Sequence, residues 1–325
     1  MTVYAAPLDE FSFVINHLLG LERLTALSRY SELDADLIDA ILSEAGKFLT
    51  EQWFPLNKPG DEVGSTFADG VVTSPDGFKE AYAMAAQNGW ISTPFDEEHG
   101  GGQLPQVVVS AITEMLDSTN ISLSMVLGLT QGAAHAIIEH GSEDLIATFV
   151  PKLMSGEWAG TMNLTEPQAG SDVGALTTKA VAQPDGSYRL TGIKSFISWG
   201  DQDITENIIH LVLARTPESP PGTRGISMFV VPKYLVNPDG SLGERNDVKT
   251  VSIEHKLGIR ASATCTLAYG DDGEGAVGYI VGEEHKGMHY MFTMMNAARV
   301  EVGISGTAIG EVLSLIHISE PTRPY

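Results

Sequence analysis

Basic residues are scarce in this sequence. Nineteen Lys and Arg stand against 42 Asp and Glu, for a formal net charge of −23. A chain this acidic repels phosphate backbones and anionic lipid, which argues against nucleic-acid binding. Cysteine is nearly missing. The single Cys265 removes any disulfide framework and fits a reducing compartment. Its alternating surroundings, Ala263-Thr264-Cys265-Thr266-Leu267, predict a small buried side chain rather than a nucleophile. Long apolar runs are missing too. The stretch 121–138, within a charge-free run that begins at Ser118, carries Ser122, Ser124, Thr130, Gln131 and His135, which suits a buried helix better than a membrane span. No basic leader precedes an apolar block at the N-terminus, so the expected location is cytoplasmic. His135 and His140 are five apart rather than four, so they do not share a helix face and predict no metal pair.

What is present falls into two periods. Residues 1–34 form a lead segment with a helical apolar face at Phe11, Val14, Ile15, Leu18 and Leu19. Asp34 is placed to cap a helix bearing Leu37, Ile38, Ile41, Leu42 and Ala45, and Trp53-Phe54-Pro55 is expected to break it. Further helices are predicted over 78–88, 106–119, 121–139 and 143–154, so residues 35–158 read as an all-α bundle. The period then becomes two. Strands are predicted at 188–192, 194–198, 208–214, 226–231, 248–253 and 264–269. Pro184-Asp185-Gly186 and Pro238-Asp239-Gly240 supply turns. Residues 159–281 thus read as an antiparallel β domain, a small barrel. Helical period returns from Lys286 through Met291, Met294, Met295, Ala298 and Val302. The methionines are read as adaptable core. The expected fold class is α+β: an N-terminal all-α bundle, a middle antiparallel β-barrel domain, and the first helix of a C-terminal helical domain over 282–312.

The densest polar stretch lies where the period changes: Met162-Asn163-Leu164-Thr165-Glu166-Pro167-Gln168-Ala169-Gly170-Ser171-Asp172-Val173-Gly174. Backbone N–H groups around a Gly-Ser turn, with a Ser hydroxyl, can hold a pyrophosphate without a lysine. Thr165 adds a hydroxyl suited to the polar edge of a flat ring. The stretch is not a Walker A loop, which needs Gly-Lys-Ser/Thr. Nor is it a dinucleotide fingerprint, because no Gly-x-Gly-x-x-Gly follows a strand. An ordinary loop is the competing reading of these residues taken alone.

The stretch resembles the flavin-binding signature of the acyl-CoA dehydrogenase family. Other matching segments follow the same order: 94–101, 151–158, Thr191-Gly192-Ile193-Lys194, Lys256-Leu257-Gly258-Ile259-Arg260, 282–287 and 294–303. The lead and the run 290–299 look like the long bacterial branch, which includes 3-methylmercaptopropionyl-CoA dehydrogenases. The resemblance covers about residues 35–312. It implies α,β-dehydrogenation of an acyl-CoA thioester with FAD as acceptor, electron-transfer flavoprotein as a partner and a homo-oligomer. By the same resemblance, Leu164 backbone and Thr165 face the flavin pyrimidine, Ser171 contacts the pyrophosphate or nearby ligand, and Ser198 is the hydroxyl donor to N5. Phe196 occupies a position that is often Trp, keeping the apolar wall without an indole N–H. Asn296 matches a contact to the CoA arm, and Arg299 an arginine beside the reacting centre.

The resemblance fails at the base and at the end of the chain. Some members carry Glu immediately before that arginine; here it is Ala298, and Glu301 lies on another face of the helix. The segment 313–323 departs from the family pattern and resembles the in-frame translation of a sequencing adapter. The expectation is therefore a non-native tail over 313–325, with a C-terminal helical domain and the base lying beyond it. Such a chain is expected to bind FAD weakly and not turn over. Competing readings are an acyl-CoA oxidase or flavin monooxygenase of the same fold, a non-catalytic or nucleic-acid-associated relative, and a structural protein without a cofactor.

Overall fold

The computed structural model describes the backbone of residues 4–319 and the side chains of residues 4–314. Of the expected non-native tail, the backbone of 313–319 continues α8, and residues 320–325 lie outside the described residues. The chain condenses into two compact units.

The first unit comprises residues 1–59, 92–124 and 299–325. It contains α1 (Leu8–Phe13), α2 (Leu21–Thr25), α3 (Ala35–Phe48), most of α4 (Phe54–Val63), and parts of two long helices, α6 (Gln106–His140) and α8 (Gly287–Ser319). Asp34 caps α3 as expected, accepting from the Leu37 N–H at 2.8 Å. Trp53-Phe54-Pro55 does not break the helix. A π-helical turn over Leu49–Trp53 carries α3 into α4. Pro55, which has no N–H to give, comes just after that widened turn. The predicted helices 106–119 and 121–139 are joined across a kink at Asn120, whose backbone is non-helical. The Asn120 amide takes over as a cap, accepting from the Leu123 N–H at 3.2 Å and donating to the Trp53 carbonyl.

The second unit comprises residues 60–91 and 125–298. Its helices are α5 (Phe78–Gln87), the second half of α6, α7 (Glu143–Met154) and the start of α8. A small hairpin, β1 (Thr66–Ala68) with β2 (Val71–Thr73), turns at Asp69-Gly70, both with positive φ. The rest is the β domain: β3 (Trp158–Asn163), β4 (Lys179–Ala182), β5 (Tyr188–Ser198), β6 (Asn207–Arg215), β7 (Ile226–Pro232), β8 (Tyr234–Val236), β9 (Leu242–Arg245), β10 (Val248–Ile253), β11 (Thr264–Tyr269) and β12 (Ala276–Ile280).

Pairing closes a ring, β4–β5–β12–β7–β6 and back to β4. The last joint is narrow, Lys179 opposite Arg215. Outside the ring, β11 and β10 extend from β5, and β3 lies against β6. The barrel is mainly antiparallel as expected, but β3 and β4 run parallel to β6. Leu190, Val212, Phe229, Val231, Leu267 and Tyr269 are among its buried core. β6 and β7 are buried almost throughout, which is why they read as mostly apolar runs instead of alternating ones.

The second half of α6 seats β3. Thr130 Oγ1 accepts from the Gly160 N–H at 3.1 Å, and a Cβ on Gly160 would collide with Ala133. Glycine is what lets strand and helix approach this closely, and it fixes where residues 164–166 emerge. Met291 and Met294 of α8 are buried, as read; Met294 packs on Gly132. Helix α6 is long and apolar enough to cross a membrane by length and composition, yet most of its apolar window is buried, including Leu123, Val126, Ala133 and Ile137.

Candidate functional site

The polar stretch leaves β3 and turns back at once. The Glu166 N–H donates to the Ala169 carbonyl at 3.1 Å, and the Ala169 N–H to the Glu166 carbonyl at 2.9 Å. Pro167 and Gln168 form the tip. Ser171 is exposed in the bend that follows, ahead of a short 3-10 turn over Val173–Ala175.

A single arginine anchors the 3-10 turn behind that bend. Arg215, at the end of β6, donates from Nε to the Leu176 carbonyl at 2.9 Å and from Nη1 to the Pro220 carbonyl at 3.0 Å. Its Nη2 reaches the carbonyls of Gly174 at 2.5 Å and Gly222 at 2.7 Å. A planar fork suits four converging carbonyls, and no ammonium could match it.

Leu164 and Thr165 lie on a segment facing β5, which carries Phe196 and, two residues on, Ser198. The Ser195 N–H donates to the Thr165 carbonyl at 2.8 Å, so Phe196 follows directly beside Thr165. Here the register of β5 on β11 slips: Cys265 faces Ile197, while Leu267 faces Lys194. The bulge places Phe196 at φ 60°, a left-handed conformation costly for a non-glycine residue. The residue is 61% exposed. Trp199 is left-handed too, at φ 52°, and fully buried, its N–H donating to the Ala263 carbonyl at 2.7 Å. Ser198 is half-buried opposite Thr264. The bulge had no glycine to announce it in the sequence.

Beneath Thr165 lies a buried ion pair that received no role from the sequence. Lys194 Nζ and Glu166 Oε1 are 2.9 Å apart, with side-chain exposures of 0% and 2%. Burial alone would raise the Glu166 pKa; the Lys194 ammonium and hydrogen bonds from Thr178 and Thr177 hold it down to about 2. A second pair, Lys233 with Asp201, stands 2.6 Å apart, and Thr250 donates to the same aspartate at 2.7 Å. His210 is buried beside Thr161, and desolvation pushes its pKa down to about 3. Cys265 is fully buried, as its alternating surroundings predict, and desolvation pushes its thiol up to about 12.

Asn296 and Arg299 are exposed one turn apart on α8; Asn296 belongs to the second unit and Arg299 to the first. Within the first unit, Asp117, which accepts from Ser305 Oγ at 2.7 Å, acts electrostatically on Glu301, a relationship that the sequence reading missed. Burial, then the Asp117 charge, raises the Glu301 pKa to about 7. Burial also raises Asp117, against hydrogen bonds from Ser124 and Ser305. Their spacing along the chain gave no signal, because they meet only when α6 and α8 pack. His135 is exposed near Glu139, and His140 stacks on Tyr290, with ring centroids 4.5 Å apart. Among the described residues no cluster of His, Cys, Asp or Glu could hold a metal ion.

A helical unit joined to a closed barrel, with an exposed aromatic ring and hydroxyls at the barrel rim, defines a two-part α-plus-barrel architecture. Residues 40–157 match the family description "Acyl-CoA dehydrogenase, N-terminal domain", and residues 161–271 match "Acyl-CoA dehydrogenase, middle domain". The chain belongs to the acyl-CoA dehydrogenase family. It is 46% identical over 308 residues to the 3-methylmercaptopropionyl-CoA dehydrogenase of Ruegeria pomeroyi, covering 95% of this chain and 52% of that protein. The chain thus spans about half the length of the curated relatives it matches. Among solved structures, the acyl-CoA dehydrogenase of Geobacillus kaustophilus superposes with a TM-score of 0.69 at 25% identity, over 86% of this chain and 67% of that one. An acyl-CoA dehydrogenase of Bacillus anthracis complexed with FAD superposes with a TM-score of 0.67 at 23% identity, over 86% and 42%. That likeness is one of fold.

Proposed function

We propose that this chain carries the flavin-facing part of an FAD-dependent acyl-CoA dehydrogenase acting on an acyl-CoA thioester. The observation that carries the reading is Phe196: an aromatic ring held exposed at a left-handed backbone position beside Thr165. Strain of about 1–2 kcal/mol at a non-glycine residue persists where surrounding structure imposes it, and such positions cluster at functional sites. A flat apolar platform next to hydroxyl and backbone donors suits an isoalloxazine, which is apolar on its face and polar along one edge.

FAD, when bound, supplies the acceptor for the hydride leaving the β-carbon. The residues of this chain would hold and polarise it. Leu164 backbone and Thr165 would meet the pyrimidine edge, and Ser198 would donate toward N5. Donors already in place where negative charge grows favour the reduced ring. Ser171, in the bend ahead of the turn held by Arg215, would meet the pyrophosphate or nearby ligand. Asn296 would contact the CoA arm, and Arg299 would stand beside the reacting centre. Electron-transfer flavoprotein would be the acceptor and the assembled protein a homo-oligomer. Turnover by this chain alone is not expected, because Ala298 offers no carboxylate where some members of the family carry one.

The test is a visible absorption spectrum of the chain after loading with FAD and desalting. Weak flavin uptake by fluorescence titration is expected, with little or no band left after desalting and no acyl-CoA-dependent dye reduction. A colourless protein that also shows no flavin uptake by fluorescence titration would overturn the reading.

A further inference from the structure

The Glu166 carboxylate gathers donors from three segments. Its Oε1 accepts from Lys194 Nζ at 2.9 Å, Thr178 N–H at 3.0 Å and Thr178 Oγ1 at 2.5 Å. Its Oε2 accepts from Thr177 N–H at 2.7 Å, Thr177 Oγ1 at 3.0 Å and Gln168 Nε2 at 2.7 Å. Lys194 then makes one contact outside this ring: its Nζ donates to the Leu164 carbonyl at 2.9 Å.

That contact sets a direction. A trans peptide is planar, with C=O and N–H pointing to opposite sides. With the Leu164 carbonyl turned onto Lys194, the Thr165 N–H points away from the ammonium. The following peptide is fixed too, its carbonyl on the Ser195 N–H and its N–H on the Ala169 carbonyl. A cation at the carbonyl end of an amide also polarises it, which strengthens the N–H as a donor.

We propose that Lys194 is a positioning residue: its ammonium, held by Glu166, turns the Leu164–Thr165 peptide so that the Thr165 N–H is presented as a preset donor to an electron-rich ring edge. The proposal deepens the FAD reading and rests on it for the identity of the ring. A buried ion pair is not needed for stability, since apolar residues of similar volume often serve as well. Directional control of a backbone amide is something an apolar pair cannot supply.

The experiment compares the 325-residue chain with Lys194→Met, with Lys194→Arg, and with Lys233→Met as a control that breaks the other buried pair. The double variant Lys194→Met with Glu166→Gln leaves no unpaired buried charge and answers if the single variant does not fold. Two readouts are taken: FAD affinity by fluorescence titration, and amide hydrogen exchange of the peptide spanning 162–170 without flavin. Lys194→Met is expected to quicken exchange there and weaken FAD by about tenfold, the scale of one charge-assisted hydrogen bond. Lys194→Arg is expected to restore part of both. Lys233→Met should lower the melting temperature and move neither. Exchange at 162–170 unchanged in Lys194→Met, or equally changed in Lys233→Met, overturns the proposal. A wild-type chain that takes up no flavin sinks the FAD reading instead. In that case quickened exchange keeps the positioning role of Lys194, and unchanged exchange ends it.

Discussion

Ser305 on α8 donates a 2.7 Å hydrogen bond to Asp117 on α6, and Glu301 stands one turn earlier on the same helix with its pKa raised to about 7. Glu301 therefore holds its proton more tightly in the folded state than in the unfolded chain. Its contribution to stability is full below about pH 4.5 and is lost as pH rises through 7. Glu301→Gln, neutral at every pH, should flatten that part of the profile. Melting temperatures from pH 4.5 to 8 check this; parallel curves for wild type and variant would refute it.

Glu166 shifts the other way. Its pKa, held down to about 2 against an ordinary 4.5, gives stability that is present above about pH 4.5 and lost as pH falls toward 2. Glu166→Gln should therefore be clearly less stable than wild type at pH 6, with the gap closing at pH 3. Denaturation at the two pH values tests this, and a gap that widens in acid would count against it.

Phe196 sets folding against binding. Glycine at φ 60° relieves backbone strain, so Phe196→Gly should raise unfolding free energy by about 1 kcal/mol while weakening FAD. Phe196→Ala keeps the strain and loses the ring, so it should weaken FAD without the gain. Urea unfolding and flavin titration separate the two effects. Equal stability in both variants would show that the left-handed position carries no strain.

Arg215→Lys should cost about 2 kcal/mol, since an ammonium cannot serve four carbonyls at once. It should also expose the bend at 170–176 to proteolysis. Limited digestion with mass mapping reads this directly; an unchanged cleavage pattern would mean that the loop holds itself.

Much of this was legible from periodicity. The strands 248–253 and 264–269 appear as predicted, and the caps at Asp34 and the turn at Pro184-Asp185-Gly186 have the side-chain chemistry their residues announce. Trp53-Phe54-Pro55 misled because a widened helical turn absorbs what a regular one cannot. The hairpin at Asp69-Gly70 carried a turn signal that the short strands on either side made easy to pass over. The site was half legible. Motif residues on one stretch of chain could be named together, but Lys194 meets Glu166, and Glu301 nears Asp117, only through tertiary packing. The bulge at Phe196 was hidden for a different reason: its positive φ is imposed on an ordinary aromatic residue by neighbouring strands.

The barrel ring closes through one paired position, Lys179 against Arg215, and the side chain of that same Arg215 ties down the two loops flanking the joint. A hoop is weakest at its seam, and here the seam and the fastening are one residue. Opening the hoop must slacken the turn at residues 174–176 and the loop at 220–222, so the two loops and the barrel seam loosen together.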